Sequence, residues 1–531
     1  MSSETARRRA AAWTRVLAGP PQPITPFLDR QAEQEAVRRL LLAPPARPRP
    51  VVLLGPPGVG TTALAAYLAA HQAPQFPGGV VWADLATVNG DPWPILVAWP
   101  RMLGLIADYP PHPAHRLRNV RRALARVRDP FLVILDDARA IWFEGLQLLV
   151  QLLPDTATLL VTSSEAAVAA MLEATVVPVT PWPLAVSVQL LAALSAGALT
   201  EALADGVARY AGGQPLALLL AARAAALDGV SAVLDRLRDP GPWFDVLREA
   251  THGADDALSR CLAANYALLA AQAPADARLW RWLGVLAPGV FSVAEVAGVL
   301  TAAGHIPPDE SSTAAVEAAL QRLADRGLVE PAPGWGYRLH PQLYLSAAAL
   351  LDQAGETAAA QHAHRTSYLA YVLARRSRLD ELETVRTNLL LGMDRAVEAM
   401  DYAAVRGYAW ALSSTQRNEE GFLWRHGYWH ELRRRLEQAR WAAEVAGEDW
   451  DMAAFAGNLA LLLQELGEQD NARRELERVR DTFHRLGDMA QELVALEQLT
   501  QLALASGDKA AAQEYYRQAQ ALRQAPNPKT P

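Results

Sequence analysis

A glycine-rich stretch between an apolar run and a helix-forming run holds the residues of this chain that are best suited to phosphate chemistry. Gly55 and Gly60 have the spacing of the pattern G-x-x-x-x-G-K-[ST], and Thr62 occupies its last position. In that pattern a loop between a strand and a helix cradles phosphates with its amides. Thr61 stands at the lysine position. The sequence therefore predicts a phosphate-binding loop, or P-loop, that lacks its usual positive charge.

The missing lysine limits the chemistry expected of this loop. The only lysines of the chain, Lys509 and Lys529, lie near its C-terminal end. A charge-assisted hydrogen bond contributes about 1.5–3 kcal/mol, so its loss should weaken triphosphate binding by roughly one to two orders of magnitude. Hydrolysis should suffer further, because this charge stabilises the transferring phosphoryl group. If an arginine replaces the lysine, the candidates are Arg30 and the arginines of a helix predicted over 117–128.

Polar side chains end two further apolar runs. Asp136 and Asp137 follow the run that begins at Phe131, and Thr162 follows the run that begins at Leu159. Continuous apolar runs are typical of parallel strands buried on both faces, and such sheets bind ligands at the carboxyl ends of their strands. Strands are predicted over 51–54, 78–85, 131–137 and 159–164, with helices between them. This alternation predicts a doubly wound parallel α/β sheet.

The remainder of the chain is predicted to be largely helical. After the P-loop domain at 26–168, a helical domain is expected over 169–255. Helices followed by a short hairpin predict a winged helix over 256–350. Residues 1–25 form a predicted arm and linker, and residues 526–531 a tail.

Two glycine series indicate an internal repeat in the C-terminal part. Gly427, Gly467 and Gly507 recur every 40 residues, as do Gly407, Gly447 and Gly487. These series are interpreted as the turns of a helix-pair repeat, which predicts an α-solenoid of tetratricopeptide type over 351–525. Four tryptophans are predicted to pack between the stacked helices, and three consecutive arginines to form a solvated face: Trp424, Trp429, Trp441, Trp450, and Arg433, Arg434, Arg435.

Composition narrows the classes of partner. The 531 residues carry a net charge of −7 and the pI is about 5.9, which disfavours a generally basic nucleic-acid surface. The single cysteine, Cys261, excludes an internal disulfide and a cysteine-rich zinc site. The sequence shows neither an apolar run that could span a bilayer nor a secretory signal, so a cytoplasmic protein without membrane contact is predicted.

The order of the motifs resembles the signal-transduction NTPases with numerous domains (STAND). The nearer resemblance is to the NB-ARC module of apoptotic-protease activators, plant disease-resistance proteins and bacterial regulators with tetratricopeptide repeats. It covers about residues 25–525 and rests on five stretches: Phe27–Arg30, Gly55–Thr62, Leu135–Asp137, Gly213–Leu218 and Tyr337–His340.

The resemblance implies a role for each matching residue. The phosphates would be cradled by the loop residues Pro57, Gly58, Val59, Gly60, Thr61 and Thr62. Thr62 would also ligate Mg²⁺, and Asp136 would hold the water shell of that ion. Asp137 would orient or deprotonate the attacking water.

Four more residues receive roles from the same resemblance. Thr162 would sense the γ-phosphate, and Pro215 would pack on adenine. His340 would reach the β-phosphate from the winged helix and keep an ADP-bound state closed. Arg30 and its neighbours would line the adenine side.

Departures from the family pattern lower the ATPase activity that we expect of this chain. Besides Thr61, Ser164 stands where many members have an arginine, and Pro341 stands where eukaryotic members have an aspartate. We therefore expect a signalling switch or scaffold that binds ADP or ATP with Mg²⁺ and is at most a slow ATPase. Its repeats would bind a protein partner, and nucleotide could drive self-assembly. The alternatives are an active ATPase with a non-standard P-loop, and a nucleotide-free scaffold or transcriptional regulator.

Overall fold

The computed structural model describes residues 29–42, 50–103, 113–194, 201–250, 256–414 and 421–524. The predicted N-terminal arm, the C-terminal tail and the Phe27–Leu28 part of the first motif lie outside these ranges. The described residues belong to two compact units. The first contains 29–103, 120–367 and 383–388, and the second contains 113–119, 368–382 and 389–524.

A five-stranded parallel sheet forms the centre of the P-loop region. Its strands are β1 Val51–Leu54, β2 Val80–Asp84, β3 Phe131–Asp136, β4 Ala157–Ser163 and β5 Thr175–Pro178, in the order β2-β3-β4-β1-β5. The accompanying helices are α1 Gln31–Leu41, α2 Thr61–Gln72, α3 Pro92–Met102, α4 Pro113–Leu124, α5 Phe143–Leu152 and α6 Ala166–Met171. This topology confirms the predicted doubly wound sheet.

The sequence predicted the strands that are deeply buried and missed the one that is mostly exposed. Every residue of β3 and β4 is buried, because both strands lie inside the sheet with helices on its faces. Strand β5 was not predicted from the sequence. It is a short edge strand that ends in Pro178 and has only one buried residue, so it lacks a continuous apolar run.

Helices and a small sheet complete the first unit. The helical domain contains α7 Leu184–Leu194, α8 Glu201–Ala211, α9 Pro215–Asp228, α10 Val230–Arg238 and α11 Trp243–Ala250. The winged helix contains α12 Asp256–Gln272, α13 Pro274–Leu283, β6 Val290–Phe291, α14 Val293–Ala302, α15 Glu310–Asp325, β7 Glu330–Ala332, β8 Gly336–Arg338 and α16 Pro341–Gln353. Its antiparallel sheet has the order β6-β8-β7, so the predicted hairpin is present and gains a third strand.

The remaining described chain is helical. Its helices are α17 Thr357–Arg375, α18 Leu379–Thr384, α19 Arg386–Glu398, α20 Tyr402–Ser413, α21 Phe422–Arg425, α22 Trp429–Ala446, α23 Asp449–Glu465, α24 Gln469–Leu486, α25 Met489–Ala505 and α26 Lys509–Gln524. Starts of α22, α24 and α26 recur every 40 residues, which confirms the helix-pair repeat. No helix in the described ranges is long and apolar enough to cross a membrane.

The glycine series mark the turns of the repeat with one exception. Gly447 and Gly487 end α22 and α24 in the left-handed conformation, with φ of 72° and 69°. Gly407 instead lies inside α20, where a Cβ would come within 3.2 Å of Leu369 Cδ1. The interpretation of Gly407 as a turn residue was therefore wrong, and its close packing explains the small residue.

Side-chain burial corrects two expectations for the repeats. Arg435 belongs to no solvated face: it is 2% exposed and pairs with Asp394 and Glu431, both at 2.5 Å. Conversely, Trp441 and Trp450 are 42% and 43% exposed, so neither is a core residue. The periodicity places a residue on a helix but does not show which face of that helix a neighbour covers.

Candidate functional site

The P-loop presents amides without acceptors at the N-terminus of α2. Gly58 and Gly60 have φ of 81° and 96°, a region that glycine enters without strain. Within the described ranges, no acceptor lies in hydrogen-bonding position for the amides of Gly58, Gly60, Thr61 and Thr62. The amide of Val59 donates to the Pro56 carbonyl at 3.2 Å, and Pro57 has no N–H. Four of the six predicted loop residues can thus donate to a phosphate.

Asp136 joins the loop to the neighbouring strand. Its Oδ1 accepts hydrogen bonds from Thr62 Oγ1 at 2.8 Å and from Thr162 Oγ1 at 2.5 Å. The parallel pairing of β1 with β4 and of β3 with β4 brings these three residues to the same edge of the sheet. Thr162 is 1% exposed, and its hydroxyl holds the Asp136 carboxylate from the end of β4.

Asp137 lies in a left-handed backbone conformation directly after β3. Its φ is 52°, an uncommon value for a residue with a side chain. The Asp137 amide donates to Thr162 Oγ1 at 2.9 Å, and Arg139 donates to the Asp137 carboxylate at 3.0 Å. The Asp137 carboxylate is thus paired with a guanidinium just beyond the end of the strand. Arg139 was not predicted, although its position two residues after Asp137 is a signal that sequence reasoning could have used.

A second carboxylate, also unpredicted, lies beside Asp136. Asp84 ends β2 and is in register with Asp136 of β3. Burial and the negative charges of Asp136 and Asp137 raise the pKa of Asp84 to about 7. Burial also raises the pKa of Asp136, and the hydrogen bonds from Thr162 and Thr62 oppose that rise. Two buried carboxyl groups side by side, whose charged forms burial disfavours, form a site that a cation would stabilise.

These residues fit a nucleotide with Mg²⁺. Mg²⁺ is usually held by one or two protein oxygens together with substrate phosphates and water. The Thr62 hydroxyl and the Asp136 carboxylate supply such oxygens 2.8 Å apart, next to amides that can hold phosphate. In the described ranges no group of three or more acidic, histidine or cysteine side chains could hold a metal alone; phosphate oxygens and water would complete the coordination of Mg²⁺ here.

Arg30 lies against the carbonyl side of the loop. Its guanidinium donates to the carbonyls of Val59 at 3.1 Å and Thr180 at 2.7 Å, and it pairs with Glu33 at 2.9 Å. The side chain is 5% exposed and lies over the Trp182 ring. These contacts hold the Val59 carbonyl of the loop and use both terminal nitrogens of the guanidinium.

The Gly213–Leu218 motif fastens the helical domain to the loop. Gln214, fully buried, donates to the Pro57 carbonyl at 2.6 Å, and its Oε1 has no partner in the described ranges. The Leu216 amide donates to the Gly58 carbonyl at 3.3 Å. Pro215 takes the first helical position of α9 and is half-buried. Pro215 thus lies where the helix meets the loop, between two residues that contact it.

His340 precedes α16 at the end of the winged-helix sheet. Its Nδ1 accepts the Gln342 amide at 3.2 Å, which leaves the proton of the neutral ring on Nε2. Burial lowers the pKa of the His340 imidazole; the charge of Glu330 opposes this shift and the charge of Arg338 adds to it, so that the pKa is lowered on balance. The ring also lies within electrostatic range of Asp137. A neutral imidazole with an Nε2–H near the carboxylates can donate to an anionic oxygen.

Comparisons with known proteins report similarity at the level of fold. No family model and no curated protein matches the chain. Among solved structures, it is similar to a STAND protein with a tetratricopeptide-repeat sensor from Pyrococcus horikoshii (12% identity, TM-score 0.38, covering 95% of this chain and 78% of that one).

Two further solved structures are also similar. They are Cdc6p from Pyrobaculum aerophilum (15% identity, TM-score 0.34, 64% of this chain and 98% of that one) and Orc1 from Aeropyrum pernix in complex with DNA (15%, 0.31, 64% and 96%). The sheet order, the P-loop and the repeats of the described chain are those of a P-loop NTPase fold followed by a winged helix and helical repeats.

Proposed function

We propose that this protein is a signalling switch that binds an adenine nucleotide, ADP in preference to ATP, together with Mg²⁺. The observation that carries the proposal is the set of four amides without acceptors beside the Thr62–Asp136 pair. Such a cradle binds diphosphate through amides and a helix N-terminus, neither of which needs the lysine. The preference for ADP and for adenine follows from the family resemblance.

Different groups of the site would bind the phosphates and coordinate the metal. The amides of Gly58, Gly60, Thr61 and Thr62 would hold the phosphates, and Thr62 and Asp136 would hold the metal. A bound Mg²⁺ neutralises phosphate charge that the missing lysine would otherwise offset. The Nε2–H of His340 would donate to the β-phosphate from the winged helix, and Pro215 would contact the base.

Hydrolysis is proposed to be slow. The Asp137 carboxylate is 24% exposed and paired with Arg139 at 3.0 Å, so a base is present at the end of β3. The transition state, however, lacks the P-loop lysine that stabilises its charge. A single-turnover assay with Asp137→Asn tests this: we expect any measured hydrolysis to fall sharply, whereas an unchanged rate would show that it does not arise at this site.

The repeats are proposed to bind a protein partner, and the nucleotide state to set the affinity for it. Several large apolar side chains of the repeat helices are exposed: Trp441 42%, Trp450 43%, Val445 51%, Leu504 60% and Tyr516 53%. Nucleotide and partner are coupled only if they favour different conformations. Sedimentation with ADP and with ATP would detect the self-assembly that such coupling can drive.

The first experiment is to determine the nucleotide content of protein purified without added nucleotide. Denatured protein is cleared, and the supernatant is resolved by ion exchange. Stoichiometric ADP supports the proposal. Calorimetric titration of emptied protein with ADP, with and without Mg²⁺, then tests the metal site.

Matched aspartate variants sharpen this titration. We expect Asp136→Asn to abolish the Mg²⁺ dependence of ADP binding. Asp155→Asn, at an exposed position before β4, should leave binding unchanged. Protein that holds no nucleotide and binds neither ADP nor ATP with Mg²⁺ would overturn the proposal and leave the scaffold alternative.

A further inference from the structure

None of the arginines that the sequence offers as a replacement for the lysine supplies a positive charge to the phosphate side of the loop. The terminal nitrogens of the Arg30 guanidinium donate to the carbonyls of Val59 and Thr180 and to the Glu33 carboxylate. In the segment 117–128, the arginines at 118, 121, 122, 126 and 128 are all exposed on the surface. A nucleotide diphosphate carries several negative charges, so an additional cation near the loop would strengthen its binding.

The winged-helix sheet brings one arginine towards the carboxyl edge of the P-loop sheet. Arg338 lies on the central strand β8, in register with Val290 of β6 and Glu330 of β7. Gly289, directly before β6, packs against the loop that follows β2: a Cβ at Gly289 would lie 3.4 Å from Thr87 Cγ2. The strand next to Arg338 therefore begins in contact with the segment that follows Asp84.

The segment between Asp84 and Thr87 connects that contact to the candidate site. The Asp84 carboxylate accepts the amides of Ala86 at 3.0 Å and Thr87 at 3.4 Å, which holds the segment against the end of β2. Asp84 is in turn in register with Asp136. The charge of Arg338 accordingly acts on the carboxylates of both Asp84 and Asp136.

Arg338 also retains donors for a ligand. Its Nη2 and Nε donate to Glu330 Oε2 at 2.7 Å and 3.3 Å, and the side chain is 25% exposed. The Nη1 group has no acceptor in the described ranges. A guanidinium has five N–H donors in a planar fork that suits phosphate oxygens, so Arg338 can keep its contact with Glu330 and bind an anion as well.

We propose that Arg338 binds the terminal phosphate of the nucleotide and replaces the lysine that is absent at Thr61. The inference rests on the proposed nucleotide binding. It assigns to the winged helix a cation that P-loops ordinarily supply themselves. Nucleotide affinity would then depend on the winged helix staying against the P-loop sheet, so opening of this arrangement would release nucleotide.

Paired substitutions test the proposal by titration calorimetry with ADP and ATP. We expect Arg338→Gln to weaken binding roughly 10- to 100-fold, the effect of one lost charge-assisted hydrogen bond. Glu330→Gln should leave affinity unchanged or increase it, because the guanidinium loses a competing carboxylate. Arg278→Gln serves as the control: it is a 45% exposed winged-helix arginine whose partner Glu356 keeps Arg281.

A rescue experiment distinguishes the loss of a positive charge in Arg338→Gln from a defect in folding. In the Arg338→Gln background, Thr61→Lys should restore most of the lost affinity, because it returns a cation to the same phosphate. If the ion pair between Arg338 and Glu330 has a purely structural role, Arg338→Gln and Glu330→Gln should weaken nucleotide binding equally, and Thr61→Lys should rescue neither variant. That result would overturn the inference.

The wild-type titration distinguishes this inference from the function on which it rests. Wild-type protein that binds nucleotide while Arg338→Gln binds equally well would refute the role of Arg338 alone. Wild-type protein that binds no nucleotide would refute the proposed function and the inference together. Weakened binding by Arg338→Gln with rescue by Thr61→Lys supports both.

Discussion

Asp84 and Asp136 end neighbouring strands, and their carboxyl groups share a buried edge of the sheet. Ionising Asp84 beside a charged Asp136 is costly, and the charge of Arg338 offsets only part of that cost. Thr62, Thr162 and the amides after Asp84 offset part of this cost with hydrogen bonds. At the residue scale, the site is thus an anionic pair beside an anion-binding loop, and a metal between the two would stabilise both.

The pH dependence of the free energy of unfolding should reveal the raised pKa of Asp84 in this pair. The pKa of Asp84 is raised from 3.8 to about 7, so the folded protein binds its proton more tightly than the unfolded chain does. The resulting stability is complete below the unfolded pKa and is lost as the pH rises through the folded pKa. We expect the free energy of unfolding, measured by urea titration without Mg²⁺ or nucleotide, to fall from about pH 4 to about pH 7.

Substitution of Asp84 provides the check on this pH dependence. Asp84→Asn removes the titrating group and should flatten the fall, whereas the exposed Asp155→Asn should not. A slope that is the same in the wild type and in Asp84→Asn would show that other groups produce it.

Helix α9 is the element that connects the loop to the winged helix. At its start, Gln214 and Leu216 contact the carbonyls of Pro57 and Gly58. At its end, Asp228 receives two hydrogen bonds from Arg326, at 2.7 Å and 2.9 Å. A helix is stiff over this length, so a displacement at either end is transmitted to the other. The arrangement offers a physical route by which loop and winged helix affect one another.

The turn before α9 should tolerate no side chain at Gly213. Its φ is 73°, and a Cβ there would lie 2.1 Å from the Trp182 carbonyl oxygen. Gly213→Ala should therefore cost at least about 1–3 kcal/mol of unfolding free energy from backbone strain, with the clash in addition. Gly241→Ala is the matched control, because it has φ of 72° and nothing within 4 Å. Equal costs for the two variants would contradict the predicted role of close packing.

The ion pair at the other end of α9 should be strongly stabilising in its context. Arg326 and Asp228 are 8% and 1% exposed, so Arg326→Ala would leave a buried carboxylate without its partner. We expect a loss of about 3–5 kcal/mol in the free energy of unfolding. Arg209→Ala breaks an exposed pair on α8, 65% and 40% exposed, and should change the free energy of unfolding far less, because solvent screens that pair. Chemical denaturation of both variants tests the difference.

At the scale of the whole molecule, charge and architecture bear on the class of partner. The net charge is −7, and an acidic protein does not attract a polyanion through its overall field. A winged helix within such a chain can serve as an internal lid as readily as a DNA reader. The exposed apolar side chains of the repeats favour a protein partner over nucleic acid.

We therefore expect no salt-sensitive binding of duplex DNA. Fluorescence anisotropy with a labelled duplex, titrated at about 50 mM and about 200 mM salt, provides the measurement. Phosphate contacts release counterions, so affinity that falls steeply between these two concentrations would establish DNA binding and revive the transcriptional alternative. A flat signal at both concentrations supports the switch or scaffold.

The sequence by itself determined the local architecture. Continuous apolar runs predicted β1 to β4, the glycine spacing predicted the loop, and the 40-residue recurrence predicted the helix pairs, because each of these signals is carried by residue types and their spacing along the chain. The domain boundaries and the roles of the site residues stay predictions. The edge strand β5 escaped prediction because a short, half-exposed strand has no such signal.

Only the tertiary structure decided which charges meet. Asp84 acquires its raised pKa from a register with Asp136 across the sheet, and Arg435 is buried because Asp394 and Glu431 lie against it. Arg338 approaches the carboxylates because β6 packs on the loop after β2. Apart from Glu431 and Arg435, which lie one turn apart on the same helix, these interactions join residues far apart in sequence, and spacing along the chain holds no information about their distance in space.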